Sequence, residues 1–211
     1  MLYVVLPTHW QEMGLTSLWQ IGAILSINRL IRLPLNPLVS HLYKRISARS
    51  GILFAVFLSV LTTAGYGLVS DFVIFLLLRC LWGLAWTFLR LGAYFTILDY
   101  STDANRGRSM GLYNGLYRLG SLVGMLAGGI LADLFQVELT ALFFACISLA
   151  CIPAVFIYIS RSAKGMVEDA AKSEKDFSLW QHLDTLPILL VGMAVAMIYQ
   201  GMFTSTLSYI I

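Results

Sequence analysis

Two long apolar segments that carry arginine constrain this sequence more than any other feature. They run roughly from Phe72 to Leu98 and from Met110 to Ala132, and each is long enough to cross a hydrocarbon core of about 30 Å. The first segment contains Arg79 and Arg90, and the second contains Arg118. An arginine at the centre of a bilayer costs about 2.5–3.5 kcal/mol. The segments therefore predict transmembrane helices that shelter their arginines from lipid.

The composition places the whole chain in the membrane. Of the 211 residues, 59% are hydrophobic and 12% are charged, and the mean hydropathy is +0.81, outside the range of soluble globular domains. Residues 1–6 are apolar and resemble the end of a helix whose beginning is absent. Further spans are predicted from about Leu15 to Leu42, Gly51 to Val69, Leu139 to Ile159 and Leu186 to Ile211. The sequence thus predicts an all-α integral membrane protein.

Lysine and arginine divide the loops into two groups. The turns at Pro7 to Gly14, Ser70 to Asp71 and Phe135 to Glu138 contain neither residue, while the alternate loops contain nine. By the positive-inside rule the second group is cytoplasmic. We therefore expect a multi-pass protein of the plasma membrane, which in a bacterium is the inner membrane. The expected parts are an amino-terminal bundle over residues 1–159, a cytoplasmic linker over residues 160–183 and a seventh helix over residues 184–211.

Polar residues recur on single helix faces. Arg79 and Arg90 are separated by three turns plus about 20°, so they share one face. Two further helix faces carry polar residues: Arg29, Arg32 and Asn36 in the second span, and Asn114 and Arg118 in the fifth. Such stripes indicate either a water-filled cavity or arginines that reach the headgroups, and the depth of Arg79 and Arg118 favours the cavity. The candidate cavity residues are Arg29, Arg32, Asn36, Arg79, Arg90, Asn114, Arg118 and Gln200, the last of which lies in the seventh span.

Glycines in the fifth span form a second pattern. Gly120, Gly124 and Gly128 recur every four residues, and small residues at this spacing let helices approach closely in lipid. Plain packing and a moving helix interface both explain the pattern.

The sequence carries no signal for chemistry on a substrate. His9, His41 and His182 are far apart in the predicted topology, and no metalloprotease or nucleophile-elbow motif occurs. The three cysteines, Cys80, Cys146 and Cys151, lie in apolar segments without metal-ligand spacing. We expect no catalytic residue, no metal, no cofactor and no nucleic-acid partner.

Three motifs resemble those of the major facilitator superfamily, whose members are secondary transporters with two six-helix halves joined by a cytoplasmic loop. Arg79-Cys80-Leu81-Trp82-Gly83, with Ala85 following, is similar to the family's Arg-x-x-x-Gly-x-Gly/Ala signature. Residues 120–129 resemble the antiporter signature Gly-x-x-x-Gly-Pro-x-x-Gly-Gly, with Met125 in place of the proline. Residues 40–49 resemble Gly-x-Leu-Ala-Asp-Arg-x-Gly-Arg-Arg, with Lys44 in place of the aspartate.

The resemblance implies a fold and a conformational latch. The fold is a six-helix bundle with a truncated first helix, followed by the linker and the seventh helix. In the family a cytoplasmic acid pairs with a neighbouring arginine, and Asp99 occupies the position of an acid in that latch. The candidate gating residues are Lys44, Arg45, Arg49, Asp99, Arg106, Gly120, Gly124, Gly128 and Gly129.

The resemblance also implies a function. We expect an incomplete secondary transporter that moves a small solute by alternating access, with membrane lipid and a missing carboxy-terminal half as partners. The excess of arginine suits an anionic solute. Drug efflux is the alternative within the family, and the altered antiporter signature and the lack of a membrane acid weigh against it. An alternative of another class is a non-transporting scaffold or an inactive truncated product.

Overall fold

The computed structural model describes residues 2–11 and 13–159, which belong to one compact helical unit. The predicted linker and seventh span, with Gln200, lie outside the described residues. The helices in chain order are α1 (Leu2–Thr8), α2 (Leu18–Leu30), α3 (Arg32–Tyr43), α4 (Ala48–Leu68), α5 (Phe72–Tyr100) and α6 (Arg106–Tyr158). Helix α4 packs against both α5 and α6, and α2 and α3 pack against α5.

Three of the described helices, α4, α5 and α6, are long and apolar enough to cross a membrane. Helix α6 is interrupted at Gln136, whose backbone has φ 71° and ψ 158°. A glutamine with positive φ is uncommon, so this residue marks a reversal between two helices. The interruption falls within the turn predicted at Phe135 to Glu138, and the two predicted segments on either side of it are both helical.

The span predicted from Leu15 to Leu42, whose sequence is interrupted by Pro34 and Pro37, is not a single continuous helix. It divides into α2 and α3, which meet at Ile31. The physical reason is that Pro34 and Pro37 have no backbone N–H, so the carbonyls one turn earlier lose their helical partners. Ile31 itself keeps helical dihedral angles, with φ −63° and ψ −25°. The two helices therefore follow one another closely.

The two predicted segments that end at Leu98 and begin at Met110 leave a charged hairpin from Asp99 to Ser109 between them, and the observed turn is shorter than this hairpin. Helix α5 continues to Tyr100 and α6 begins at Arg106. The Thr102 backbone N–H donates to Asn105 Oδ1 over 2.9 Å, and Asp103 pairs with Arg106 at 3.0 Å. These local contacts close the turn within five residues, which lets both helices extend beyond their apolar segments.

The three turns without lysine or arginine meet at one end of the bundle. His9 Nε2 lies 3.2 Å from Asp133 Oδ1, so the turn after α1 contacts α6. Gly14 has φ +74°, and a Cβ there would collide with the Ser70 carbonyl oxygen. Helix α4 likewise approaches the third turn, because Gly67 packs against the Glu138 backbone. This arrangement agrees with the alternation of the loops predicted from their charges.

The opposite end is held by Tyr43, the last residue of α3. Its ring is buried against Gly51 of α4 and Gly92 of α5, and its hydroxyl donates to the Phe88 carbonyl over 2.7 Å. The absence of side chains on the two glycines makes room for the ring. One aromatic residue thus joins three helices and fixes where α3 lies.

Candidate functional site

Arg79 is the most deeply buried charge of the described residues, with 2% of its surface exposed. It lies on α5, and its guanidinium is 5.4 Å from the centre of the Tyr3 ring and 5.5 Å from that of Tyr66. A guanidinium over an aromatic face gains about 2 kcal/mol when the pair is desolvated. Two rings from α1 and α4 therefore help this arginine to stay inside an apolar bundle.

Asn28 and Arg32 form the second polar element, at the junction of α2 and α3. Asn28 is completely buried, and its Oδ1 accepts a hydrogen bond of 2.9 Å from Arg32 Nη2. The guanidinium of Arg32 lies 5.4 Å from the Trp86 ring of α5. The four-residue spacing brings the two side chains to one face because Ile31 keeps helical angles.

Because Gly83 of α5 has no side chain, the junction of α2 and α3 can approach α5 closely. A Cβ there would lie 2.5 Å from Ile31 Cγ2 and 3.2 Å from Asn28 Oδ1. Gly83 is one turn after Arg79, so the junction packs directly beside the buried arginine. The glycine of the Arg79-x-x-x-Gly83 motif thus permits the close packing of α5 against the junction of α2 and α3.

Two more arginines join this region. Arg29 lies 5.7 Å from the Tyr3 ring that also contacts Arg79. Arg90 donates from Nε to Tyr94 Oη over 3.2 Å and lies over the same ring. Both Arg29 and Arg90 are close enough to Arg32 to repel it electrostatically. Four cations therefore share one region.

Aromatic residues of α6 complete the site. Tyr117 packs on Trp86 with ring centres 4.9 Å apart, and Tyr113 packs on Tyr94 at 5.6 Å. We call the whole set the arginine–aromatic cluster. Its members are Tyr3, Asn28, Arg29, Arg32, Tyr66, Arg79, Trp86, Arg90, Tyr94, Tyr113 and Tyr117.

Several donors in the cluster have no partner. Asn28 Nδ2, Arg32 Nε, and Arg79 Nε and Nη2 are buried and make no hydrogen bond within the described part of the chain. An unsatisfied buried donor costs about 1–3 kcal/mol, and more when it is charged. All four atoms are donors, and the cluster contains no acidic side chain. The site is therefore suited to a molecule that brings hydrogen-bond acceptors or negative charge.

The structure brings together four of the predicted cavity residues, Arg29, Arg32, Arg79 and Arg90. Asn36, Asn114 and Arg118 are exposed and lie outside the cluster in the described unit. The α6 face that enters the cluster carries Tyr113 and Tyr117, each about 100° from the neighbouring Asn114 or Arg118. A role for those three residues stays a prediction.

Asn28 and the aromatic members of the cluster are not among the site residues predicted from the sequence. A signal was present in the four-residue spacing of Trp86, Arg90 and Tyr94, and in that of Tyr113 and Tyr117. That spacing places each set on one helix face. Trp86 and Tyr94 differ from ordinary packing residues by their contact with arginine, and Tyr117 and Tyr113 by their packing on those two rings.

The predicted latch is not formed in the described unit. The ion pairs there are His9 with Asp133 and Arg106 with Asp103, so Asp99 is in neither of them. Lys44 and Arg45 are exposed at the end of α3. Arg49 lies over the Phe156 ring at 4.5 Å. A latch that involves Asp99 stays a prediction.

The glycines of α6 differ from one another. A Cβ on Gly120 or Gly124 would meet nothing within 4 Å in the described part of the chain. Gly128 is buried and Gly129 is half-buried. The first two glycines thus leave an open helix surface, and their role in packing or movement stays a prediction.

Within residues 2–11 and 13–159, no group of three or more histidine, cysteine, aspartate or glutamate side chains could hold a metal ion. Cys80, Cys146 and Cys151 are free thiols.

Long apolar helices that bury Arg79 among aromatic rings define an integral membrane protein with a charged group in its interior. The sequence model of the Major Facilitator Superfamily matches residues 1–211, and the chain therefore belongs to this family of membrane transporters. A comparison with curated proteins found no match.

We expect Gly83→Ala to destabilise the bundle, because its new Cβ would displace Ile31 and Asn28. Overpacking of this kind costs about 1–3 kcal/mol. Gly22→Ala is the matched control, since a Cβ at Gly22 of α2 meets nothing within 4 Å in the described unit. Thermal unfolding of both variants in detergent measures the difference. Equal unfolding temperatures would contradict the close approach at Gly83.

Proposed function

We propose that this chain forms the amino-terminal half of a secondary transporter that binds an anionic solute at the arginine–aromatic cluster. The observation that supports the proposal most strongly is the set of unpaired buried donors on Asn28, Arg32 and Arg79. Buried donors are nearly always paired in folded proteins. A carboxylate or phosphate supplies acceptors for these donors and neutralises the repulsion among the arginines.

Arginine suits such a ligand better than lysine does. Its planar fork makes two parallel hydrogen bonds to a carboxylate or phosphate. The free Nε and Nη2 of Arg79 are the pair of atoms that this geometry needs. The rings of Tyr113 and Tyr117, which pack on Tyr94 and Trp86, add apolar surface, which favours an anion that also carries an apolar or aromatic group.

Movement of the solute is proposed to follow alternating access, in which two halves rock around a site near the middle of the membrane. The open α6 surface at Gly120 and Gly124 offers a place for a close helix partner. The carboxy-terminal half would supply the other wall of the site. Membrane lipid surrounds the exposed apolar side chains of the described helices.

The alternatives fit the cluster less well. Efflux of a cationic drug needs a negative or unoccupied aromatic site, but the cluster has no acid, and arginine already covers the rings of Tyr3, Tyr66, Trp86 and Tyr94. A scaffold without a ligand would leave Nε and Nη2 of Arg79 unpaired, at a continuing cost in stability.

Cysteine labelling tests whether the cluster faces water. The three native cysteines are first replaced by alanine, and Tyr117→Cys is then treated with a membrane-impermeant thiol reagent. We expect labelling in the membrane-inserted protein, because Tyr117 is exposed and contacts Trp86. Benzoate and inorganic phosphate serve as probe anions, and protection by either one would support an anion site.

Leu119→Cys is the matched control. Leu119 is also exposed on α6 but lies about 200° around the helix from Tyr117. We expect it to stay unlabelled, since this side faces away from the cluster and towards lipid. Equal labelling at both positions, or none at Tyr117, would contradict the proposed water-filled site.

A further inference from the structure

A cavity lies between α4, α5 and the part of α6 that follows Gln136. Its volume is about 290 Å³, nearly twice that of an engineered 150 Å³ cavity that binds benzene. Its lining is almost wholly apolar and includes Ile52, Val56, Trp82 and Leu89. We call this cavity the apolar groove. Cys151, on its wall, is exposed, so the groove opens at the outside of the described bundle.

The groove is elongated along the helices. Its α4 wall is made by Ile52, Ala55, Val56 and Ser59, which recur at the spacing of a single helix face. The wall on α5 has the same spacing, from Trp82 to Leu89. Seven residues of helix correspond to about 10 Å. The groove therefore has the direction and chemistry of an extended hydrocarbon chain.

A cation lies at one end of the groove. Arg49 is in the first turn of α4, three residues before Ile52, and its guanidinium covers the ring of Phe156, next to the groove residue Val155. It is in neither ion pair of the described part of the chain. The first turn of α4 also lacks an acidic residue, so its positive helix end is not neutralised.

From this arrangement we propose that the apolar groove binds one acyl chain of an anionic phospholipid whose phosphate lies at Arg49 and the beginning of α4. Arg49 is at the end of a membrane-spanning helix, where lipid headgroups are found. The groove continues from that end into the apolar part of the span. Headgroup charge and acyl chain are thus recognised by neighbouring parts of one surface.

The site has a connection with the arginine–aromatic cluster. Trp86 lines the groove and also contacts Arg32 and Tyr117. A bound acyl chain would pack against the Trp86 indole, over which the guanidinium of Arg32 lies. Lipid binding nevertheless requires only the groove and Arg49, so it is independent of the proposed solute.

Quenching of tryptophan fluorescence by brominated lipids tests the proposal on the full chain in nanodiscs. Trp10, Trp19 and Trp180 are replaced by phenylalanine, which leaves Trp82 and Trp86 in the groove. We expect brominated phosphatidylglycerol to quench with a roughly fivefold preference over brominated phosphatidylcholine, equivalent to about 1 kcal/mol from one arginine. Arg49→Ala should remove this preference, and Arg49→Lys should keep most of it.

Two matched controls locate the effect. Arg45→Ala removes an exposed cation at the same end of the bundle and should leave the preference intact. Cys151→Phe fills the groove and should reduce quenching by both lipids, whereas Cys146→Phe, on an exposed position of the same helix outside the groove, should not. Equal quenching by the two lipids would overturn the headgroup assignment. Quenching that is unchanged by Cys151→Phe would overturn the groove as the binding site.

Discussion

Arg79→Ala is expected to reduce anion transport sharply in the transporter that contains this chain. Arg79 is buried and offers two unpaired donors, so its removal takes away both charge and the fork that would hold a carboxylate or phosphate. Truncation of one partner of a buried charge pair costs about 2 kcal/mol or more, which is roughly a 30-fold or larger loss of affinity. Uptake of the protecting anion into proteoliposomes measures the effect.

Two further variants make this result specific. Arg79→Lys keeps the charge but lacks the planar fork, so we expect partial activity between that of the alanine variant and that of the unchanged protein. Arg108→Ala removes an exposed arginine near the start of α6 and should leave uptake unchanged. Normal uptake by an Arg79→Ala variant that elutes as a single folded species would show that the cluster does not bind the solute.

The helices could be predicted largely from apolar length. Helices α4 and α5 occur where long apolar segments predict them, because a chain in lipid must satisfy its backbone groups within each helix. The second span was expected to be interrupted at Pro34 and Pro37, but the place of the break at Ile31 could not be predicted, since Ile31 itself keeps helical dihedral angles. The hairpin was predicted too long because polar residues such as Asp99 can extend a helix beyond the apolar part of the membrane.

The site could be predicted only in part. Arg29, Arg32, Arg79 and Arg90 stand out in sequence because charge inside an apolar segment is costly. Asn28 does not, since one amide in a membrane helix is compatible with an ordinary interhelical hydrogen bond. Its importance follows from its complete burial and its contact with Arg32, both of which depend on how closely α2 and α3 approach Gly83.

The aromatic members escaped prediction for a related reason. Tyr113 and Tyr117 have the four-residue spacing of a helix face, but an isolated helix does not show which face meets the arginines. Arg118 is predicted from its stripe with Asn114 and its depth in the span, whereas the neighbouring face with Tyr113 and Tyr117 packs on α5. Tertiary packing thus decides which of two neighbouring stripes faces the arginines.

The second large effect is expected for Asn28→Asp. The substitution keeps the size of the side chain and places a carboxylate where Asn28 Oδ1 now lies, 2.9 Å from Arg32 Nη2. Arg32 would then gain a permanent charge-assisted hydrogen bond. The new carboxylate would also repel an incoming anion. We expect affinity for the protecting anion to fall roughly tenfold or more, equivalent to about 1.4 kcal/mol, while the thermal unfolding temperature stays equal or rises.

The directions in which Asn28→Asp changes anion affinity and unfolding temperature distinguish an anion site from its alternatives. Asn105→Asp is the matched control, because it makes the same chemical change at an exposed position just before α6, outside the cluster, and it should leave anion affinity unchanged. A cation site would respond in the opposite sense, since the new carboxylate would attract a cationic drug and increase its transport. A scaffold would show only the change in unfolding temperature. Lower anion affinity without loss of stability is therefore the result expected of a site in which Arg32 and Arg79 bind the solute's negative charge.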